Sequence, residues 1–165
     1  ISFSVPEITG VWPALWMMPE KSVYGNWPRS GEIDIVETIN EKSDELVTTI
    51  HYGHDYHRQI SKTTFLNQLT KLSNPIDHNK ISLIWEDKYF EWLLNDQLVF
   101  KVNFNEVENL EPNPFLEEFY LLINVAVGGN WPGTPNSTMY CNSRKSCPDV
   151  KKLIVDYIAY YEKIN

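Results

Sequence analysis

Three carboxylates, Glu32, Asp34 and Glu37, are the residues whose type and spacing could do chemistry. They stand in the run Gly31-Glu32-Ile33-Asp34-Ile35-Val36-Glu37, where the β-branched Ile33, Ile35 and Val36 predict a strand. Strand alternation puts Glu32 and Asp34 on one face and Ile33 and Ile35 on the other, which leaves Glu37 with the wrong parity. A bulge at Val36 would absorb one residue and return Glu37 to the acidic face. Like charges crowded on an apolar strand repel one another and are costly to desolvate, so the array calls for a chemical reason. In glycoside hydrolysis one protonated carboxyl donates to the leaving oxygen while an ionised one attacks or activates water. Several carboxylates could also hold a hard cation such as calcium. An acidic outer face with no chemistry is the third reading.

Context must decide among them, and the first has an electrostatic condition to meet. With Asp34 between Glu32 and Glu37, all three acids are hard to ionise together, and a proton tends to stay in the cluster near neutral pH. Local environment then decides which acid keeps it. Counting the bulge as one step, Glu32 and Glu37 lie about 13 Å apart along an ideal strand. A retaining pair needs carboxyls roughly 5 to 5.5 Å apart, so strand bending and inward-leaning side chains must close the difference.

The elements that would position these acids read as strands. Ile1 to Val5 looks like a short strand, followed by the apolar Val11 to Met18, in which Trp12 and Trp16 share a face. Pro19 to Ser30 is a Gly- and Pro-punctuated loop that carries Trp27 and Arg29 into the acidic strand. Leu46 to Tyr52 predicts a strand with Val47, Thr49 and His51 on one face, and His51 reads either as a cleft residue or as a structural histidine. His54 to Asn79 reads as loop, with at most a short strand near Thr63 to Leu66. Ile81 to Trp85, Tyr89 to Leu94 and Gln97 to Asn103 form a meander, with Asp87 and Asn95-Asp96 at its turns. Phe119 to Val127 is a nearly continuous apolar strand interrupted by Asn124, and a Gly-rich turn presents Trp131 after it. Leu153 to Tyr161 closes the chain as a strand interrupted by Asp156. Many short strands, close turns and no amphipathic helix predict an all-β sandwich or barrel in one domain, 1–165.

At 165 residues the chain can bury a sizeable core. Its net charge of −8 argues against nucleic acid or an anionic membrane surface as partner. No apolar run reaches the length of a membrane span, and no basic, apolar leader precedes the first strand, as expected of a mature, processed or truncated product. Six Trp and nine Tyr suit stacking on sugars, although in a β-rich domain most aromatic rings are core. Cys141 and Cys147 stand six apart in a polar stretch, and a local disulfide there would contribute roughly 2 kcal/mol. Asn136-Ser137-Thr138 is an N-glycosylation acceptor sequence, and together these features point to secretion.

Three segments carry a family resemblance: Trp12-Pro13-Ala14-Leu15-Trp16-Met17, Trp27-Pro28-Arg29-Ser30-Gly31 leading into the acidic run, and Asn124 to Gly133. They resemble the signature segments of glycoside hydrolase family 16, nearest its laminarinase branch. The resemblance runs the length of the chain, and the acidic motif with its extra residue is its most specific part. Lichenases and xyloglucan transglycosylases typically lack that residue.

The resemblance implies a jelly-roll sandwich of two antiparallel sheets with a concave cleft, and a retaining endo-hydrolysis of β-1,3-glucan without a catalytic metal. It implies Glu32 as nucleophile, Glu37 as acid/base and Asp34 as the partner that tunes Glu32. Trp12, Trp16 and Trp27 match glucan-cleft positions, and Arg29, His51, Asn124 and Trp131 are further substrate-binding candidates. Asp156 matches a position that contributes to a structural calcium site in many members, or is an ordinary strand residue. Family members carry more strands before the segment that begins here at Ile1. The expectation is therefore a sandwich incomplete at its N-terminus, a fragment or one completed by another chain. Two other readings stand beside the glucanase: a glucan-recognition module without turnover, and a family hydrolase of agar or carrageenan, whose sulfated substrate the net charge disfavours.

Overall fold

A computed structural model describes residues 1–5, 9–39, 45–66, 78–135 and 152–163. Its strands are β1 (Ser2–Ser4), β2 (Val11–Pro19), β3 (Glu32–Glu37), β4 (Glu45–Tyr52), β5 (Arg58–Phe65), β6 (Asn79–Glu86), β7 (Tyr89–Leu94), β8 (Gln97–Asn103), β9 (Phe119–Val127) and β10 (Ile154–Tyr157). They form two five-stranded sheets, ordered β5-β4-β3-β2-β9 and β10-β1-β6-β7-β8, and every described pairing is antiparallel. This is the expected sandwich. Among the described residues no helix is long and apolar enough to cross a membrane.

The core lies between the sheets. Leu15, Ile33, Ile35, Val36, Leu46 and Ile50 come from one sheet, and Phe3, Ile81, Phe90, Trp92 and Leu94 from the other. Phe90 is the hub, edge-on to Trp85, Trp92, Phe104 and Phe115 with ring centroids 5.0 to 5.5 Å apart. Phe115 is held by a short 3-10 turn, Pro114–Leu116, whose N-cap Asn113 accepts from the Phe115 N–H. Directly beneath that ring lies Gly31, at φ +84, where a Cβ would come within 3.0 Å of Phe115 and 3.1 Å of Phe119. Glycine is therefore required where the chain turns into the acidic strand.

Two expectations need correction. The segment read as loop contains β5, an eight-residue strand paired with β4 along its length. It escaped notice because it is an edge strand with both faces largely wet, so its Gln, Ser, Lys and Thr carry no apolar alternation. The closing strand is shorter than expected, only Ile154–Tyr157, with Ile158, Tyr160 and Tyr161 exposed beyond it. β9 has the bounds expected of it, Phe119–Val127, and lies at a sheet margin where Val127 of its core-side face is 60% exposed. Cys141, Cys147 and the Asn136 acceptor sequence lie outside the described residues.

Candidate active site

The bulge sits at the acids. In the β3–β4 ladder Glu32 pairs with His51, Asp34 with Thr49 and Glu37 with Val47, so Ile35 and Val36 together oppose the single residue Thr48. Both bulged side chains go into the core, which puts Glu37 on the face of Glu32 and Asp34. Register with β2 agrees: Ala14 pairs with Glu37 and Trp16 with Asp34, with the irregularity between them. The same face continues through Trp12 and Trp16 on β2 and Asn124 on β9.

Each acid has its own partner. Trp12 Nε1 donates to Glu37 Oε1 at 2.8 Å, and Trp27 Nε1 donates to Glu32 Oε2. His51 Nε2 lies 3.1 Å from Asp34 Oδ2, and a hydrogen bond joins the carboxyls of Asp34 and Glu32. Asp34 is 2% and Glu37 8% exposed, whereas Glu32 is only half-buried.

These surroundings set the protonation. Burial first, then the charge of Asp34, pushes the Glu37 carboxyl up to about 8, against the opposing pull of the Trp12 bond. Burial pushes Asp34 up to about 7. Glu32 is raised too, by burial and then by the Asp34 charge, while His51 and the Trp27 N–H pull it back. Near neutral pH Glu37 therefore keeps its proton. The hydrogen bond between Glu32 and Asp34 raises Glu32 and lowers Asp34, so these two carboxyls titrate as a pair, with the half-open Glu32 beneath Trp27. The site thus sets a proton donor, Glu37, on the same face as the coupled Glu32–Asp34 pair, the two components that displacement at a sugar carbon requires.

The other predicted residues fall as follows. Trp16 Nε1 donates to Asn124 Oδ1 at 2.8 Å, which accounts for the one polar interruption of β9. Trp131, 40% exposed, stands edge-on to Trp12 at 4.8 Å. Trp27, 49% exposed, overhangs Glu32 and meets the His51 ring at 5.9 Å. Arg29 is exposed in the same loop beside Gly25, with no bond to the acids.

His57 was not foreseen. Its Nε2 lies 2.7 Å from His51 Nδ1, and its ring meets Trp27 at 4.7 Å. Gly53 followed seven residues later by the β-branched Ile60 in a polar run is a weak hairpin signal. Recognising the hairpin would have placed His57 beside His51.

Asp156 lies on the other sheet, where Ser2 Oγ donates to its Oδ2 at 2.8 Å and His78 Nδ1 approaches the same oxygen at 2.6 Å. Calcium takes six to eight oxygens, and a serine hydroxyl with an imidazole nitrogen does not make that set, so these neighbours do not fit the ion. Among the described residues, Glu32, Asp34 and His51 alone bring ligating atoms together, within 4.8 Å of one another. There the His51 nitrogen faces an Asp34 oxygen directly, the geometry of an acid–imidazole contact.

Residues 2–83 match the family profile described as "XgeA-like, catalytic GH16 domain". The glucan endo-1,3-beta-glucosidase A1 of Niallia circulans is 34% identical over 96% of this chain and 23% of its own length. A glucan endo-1,3-beta-glucosidase of Cryptopygus antarcticus is 35% identical over 78% of this chain and 49% of its own length. The laminarinase catalytic domain of Thermotoga maritima MSB8 superposes with a TM-score of 0.73 at 30% identity, over 86% of this chain and 57% of that one. The chain thus spans half or less of the length of these two curated relatives.

Proposed function

The chain belongs to glycoside hydrolase family 16, and from that premise we propose that it hydrolyses internal β-1,3-glucosidic bonds of laminarin-like or mixed-linkage β-glucans with retention of configuration. The observation that carries this reading is the unequal environment of the two glutamates: Glu37 sealed and raised to about 8, Glu32 half-open and held by Trp27. In the first step Glu32 attacks the anomeric carbon as Glu37 gives its proton to the departing glycosidic oxygen. The leaving chain departs, and a covalent glycosyl-Glu32 ester remains. In the second step Glu37, now ionised, takes a proton from water. The water oxygen bonds to the anomeric carbon and Glu32 is released. Asp34 shares a hydrogen bond with Glu32 and so tunes the charge of the attacking carboxyl.

Trp12, Trp16 and Trp27 surround the acids through their bonds to Glu37, Asn124 and Glu32, and aromatic rings of this kind suit the apolar faces of sugars. Action on an external polysaccharide is consistent with a secreted protein, and the chemistry calls on no metal. The wet margin at β9 supports a further segment or a second chain completing the sandwich.

The test is product analysis. The protein is incubated with laminarin, lichenan, agarose and xyloglucan, and the first products are observed by proton NMR. Initial β-configured oligosaccharides from laminarin are expected. Release of α-configured products first would overturn the mechanism, and glucan binding without turnover would leave a recognition module instead.

A further inference from the structure

Asp34 Oδ2 is buried and has no well-aligned hydrogen-bond donor; the nearest is His51 Nε2 at 3.1 Å. Such contacts often tighten only when substrate arrives. A buried carboxyl oxygen that carries no proton of its own is satisfied by an imidazole nitrogen only if that nitrogen carries the hydrogen. Neutral imidazole has a single N–H, so a hydrogen on Nε2 leaves Nδ1 of His51 as an acceptor. That acceptor meets His57 Nε2 at 2.7 Å. His57 must then be the donor, and its own Nδ1 becomes the acceptor of its ring. The chain of donors is fixed in one direction, from His57 to His51 to Asp34. Since Oδ2 is not the oxygen bonded to Glu32, the bond between the two carboxyls uses the other oxygen of Asp34.

We propose that His57 is a positioning residue: by donating from Nε2 to His51 Nδ1 it locks His51 in the tautomer that claims Asp34 Oδ2, and so reserves the opposite oxygen of Asp34 for the hydrogen bond it shares with Glu32. This rests on Glu32 acting as the nucleophile. His57 touches neither Glu32 nor Asp34 in this scheme. Its ring is stacked on His51 at 5.0 Å and tilted against Trp27 at 4.7 Å, so it also braces the tryptophan that donates to Glu32. The charged groups facing the histidine pair are Glu32, Asp34 and Glu37, all on β3.

Two substitutions separate the hydrogen bond from the ring contact. His57→Phe keeps a flat ring against Trp27 and removes the donor. His57→Gln loses the ring and restores an amide N–H at about the same reach. Because His57 is exposed, both variants should fold.

The first readout is the nitrogen-15 NMR signature of the His51 ring in the full chain. A single Nε2–H tautomer is expected in wild type and His57→Gln, and a mixture with Nδ1–H in His57→Phe. The second readout is laminarin hydrolysis. In His57→Phe, kcat should fall five- to tenfold with KM nearly unchanged. The acid limb of its pH profile should move upward, because His51 Nδ1 is freed to take a proton. His57→Gln should recover both.

An unaltered tautomer in His57→Phe, or a loss of kcat that His57→Gln does not recover, would overturn the proposal. The tautomer measurement needs no turnover. The predicted tautomers in a protein inactive on every glucan would uphold the hydrogen-bond chain while refuting the glucanase reading on which its catalytic consequence depends.

Discussion

Replacing Glu37 by glutamine should make the protein both slower and, at mildly alkaline pH, more stable. The unfolded chain releases this proton near 4.5, whereas the folded site holds it until about 8. Between those values the native state carries one more proton than the unfolded state. Stability from this group is therefore fully present in mild acid and is lost as pH rises toward 8, by about 1.4 kcal/mol per pH unit. Asp34, raised to about 7, adds a second contribution of the same sign that ends near pH 7. Glu37→Gln keeps the volume and an oxygen to accept from Trp12 Nε1, and removes the titration.

Urea unfolding at half-unit steps from pH 5 to pH 8 measures the slope. Wild type should lose stability across the whole window. The variant should be flatter, most clearly between pH 7 and 8, where the Asp34 contribution is ending and that of Glu37 persists. Laminarin hydrolysis by the same variant should fall by about 10² to 10⁴, the scale of a lost acid/base. Parallel stability curves would refute the claim that Glu37 is the buried proton holder. Hydrolysis at the wild-type rate would refute its role in the reaction.

Glu32→Gln should abolish hydrolysis yet keep laminarin binding, measured by calorimetry, because the tryptophan faces remain; measurable turnover would remove Glu32 from the nucleophile's place. Trp12→Phe removes the N–H that holds the Glu37 carboxyl down, so the alkaline limb of the pH profile for kcat/KM should move to higher pH. Gly53 has φ +118, and a Cβ there would lie 2.2 Å from the Tyr56 carbonyl oxygen. Gly53→Ala should therefore displace the turn carrying His57 and cost roughly 1 to 3 kcal/mol in thermal unfolding, with kcat reduced. Phe115→Ala should cost about 3 to 5 kcal/mol, read by denaturant unfolding, since that ring fills the space above Gly31 and against Phe90.

Local pattern carried much of the fold. β2, β4 and the β6 to β8 meander were readable because each has a run of apolar or β-branched residues bounded by turn residues, and Asn95 and Asp96 indeed take φ of 50° and 66°. The bulge was readable from the wrong parity of Glu37, although sequence placed it at Val36 and the ladder spreads it over Ile35 and Val36. β5 was not readable, because an edge strand wet on both sides has no reason to alternate. β9 was readable from its apolar run over Phe119 to Val127, although the pattern did not tell that it lies at a margin where its core-side face is only partly covered.

The sequence by itself determined which groups could react and which face they share, because alternation and one inserted residue are properties of the local chain. Only the tertiary structure decided how the three acids differ. Asp34 and Glu37 are sealed by residues from β2 and β4, Glu32 is left half-open beneath a tryptophan delivered by a loop, and His57 reaches His51 across a hairpin. Desolvation and hydrogen bonding depend on what packs against a group in space, so three acids on one strand acquire separate roles only when the sheet and its loops close around them.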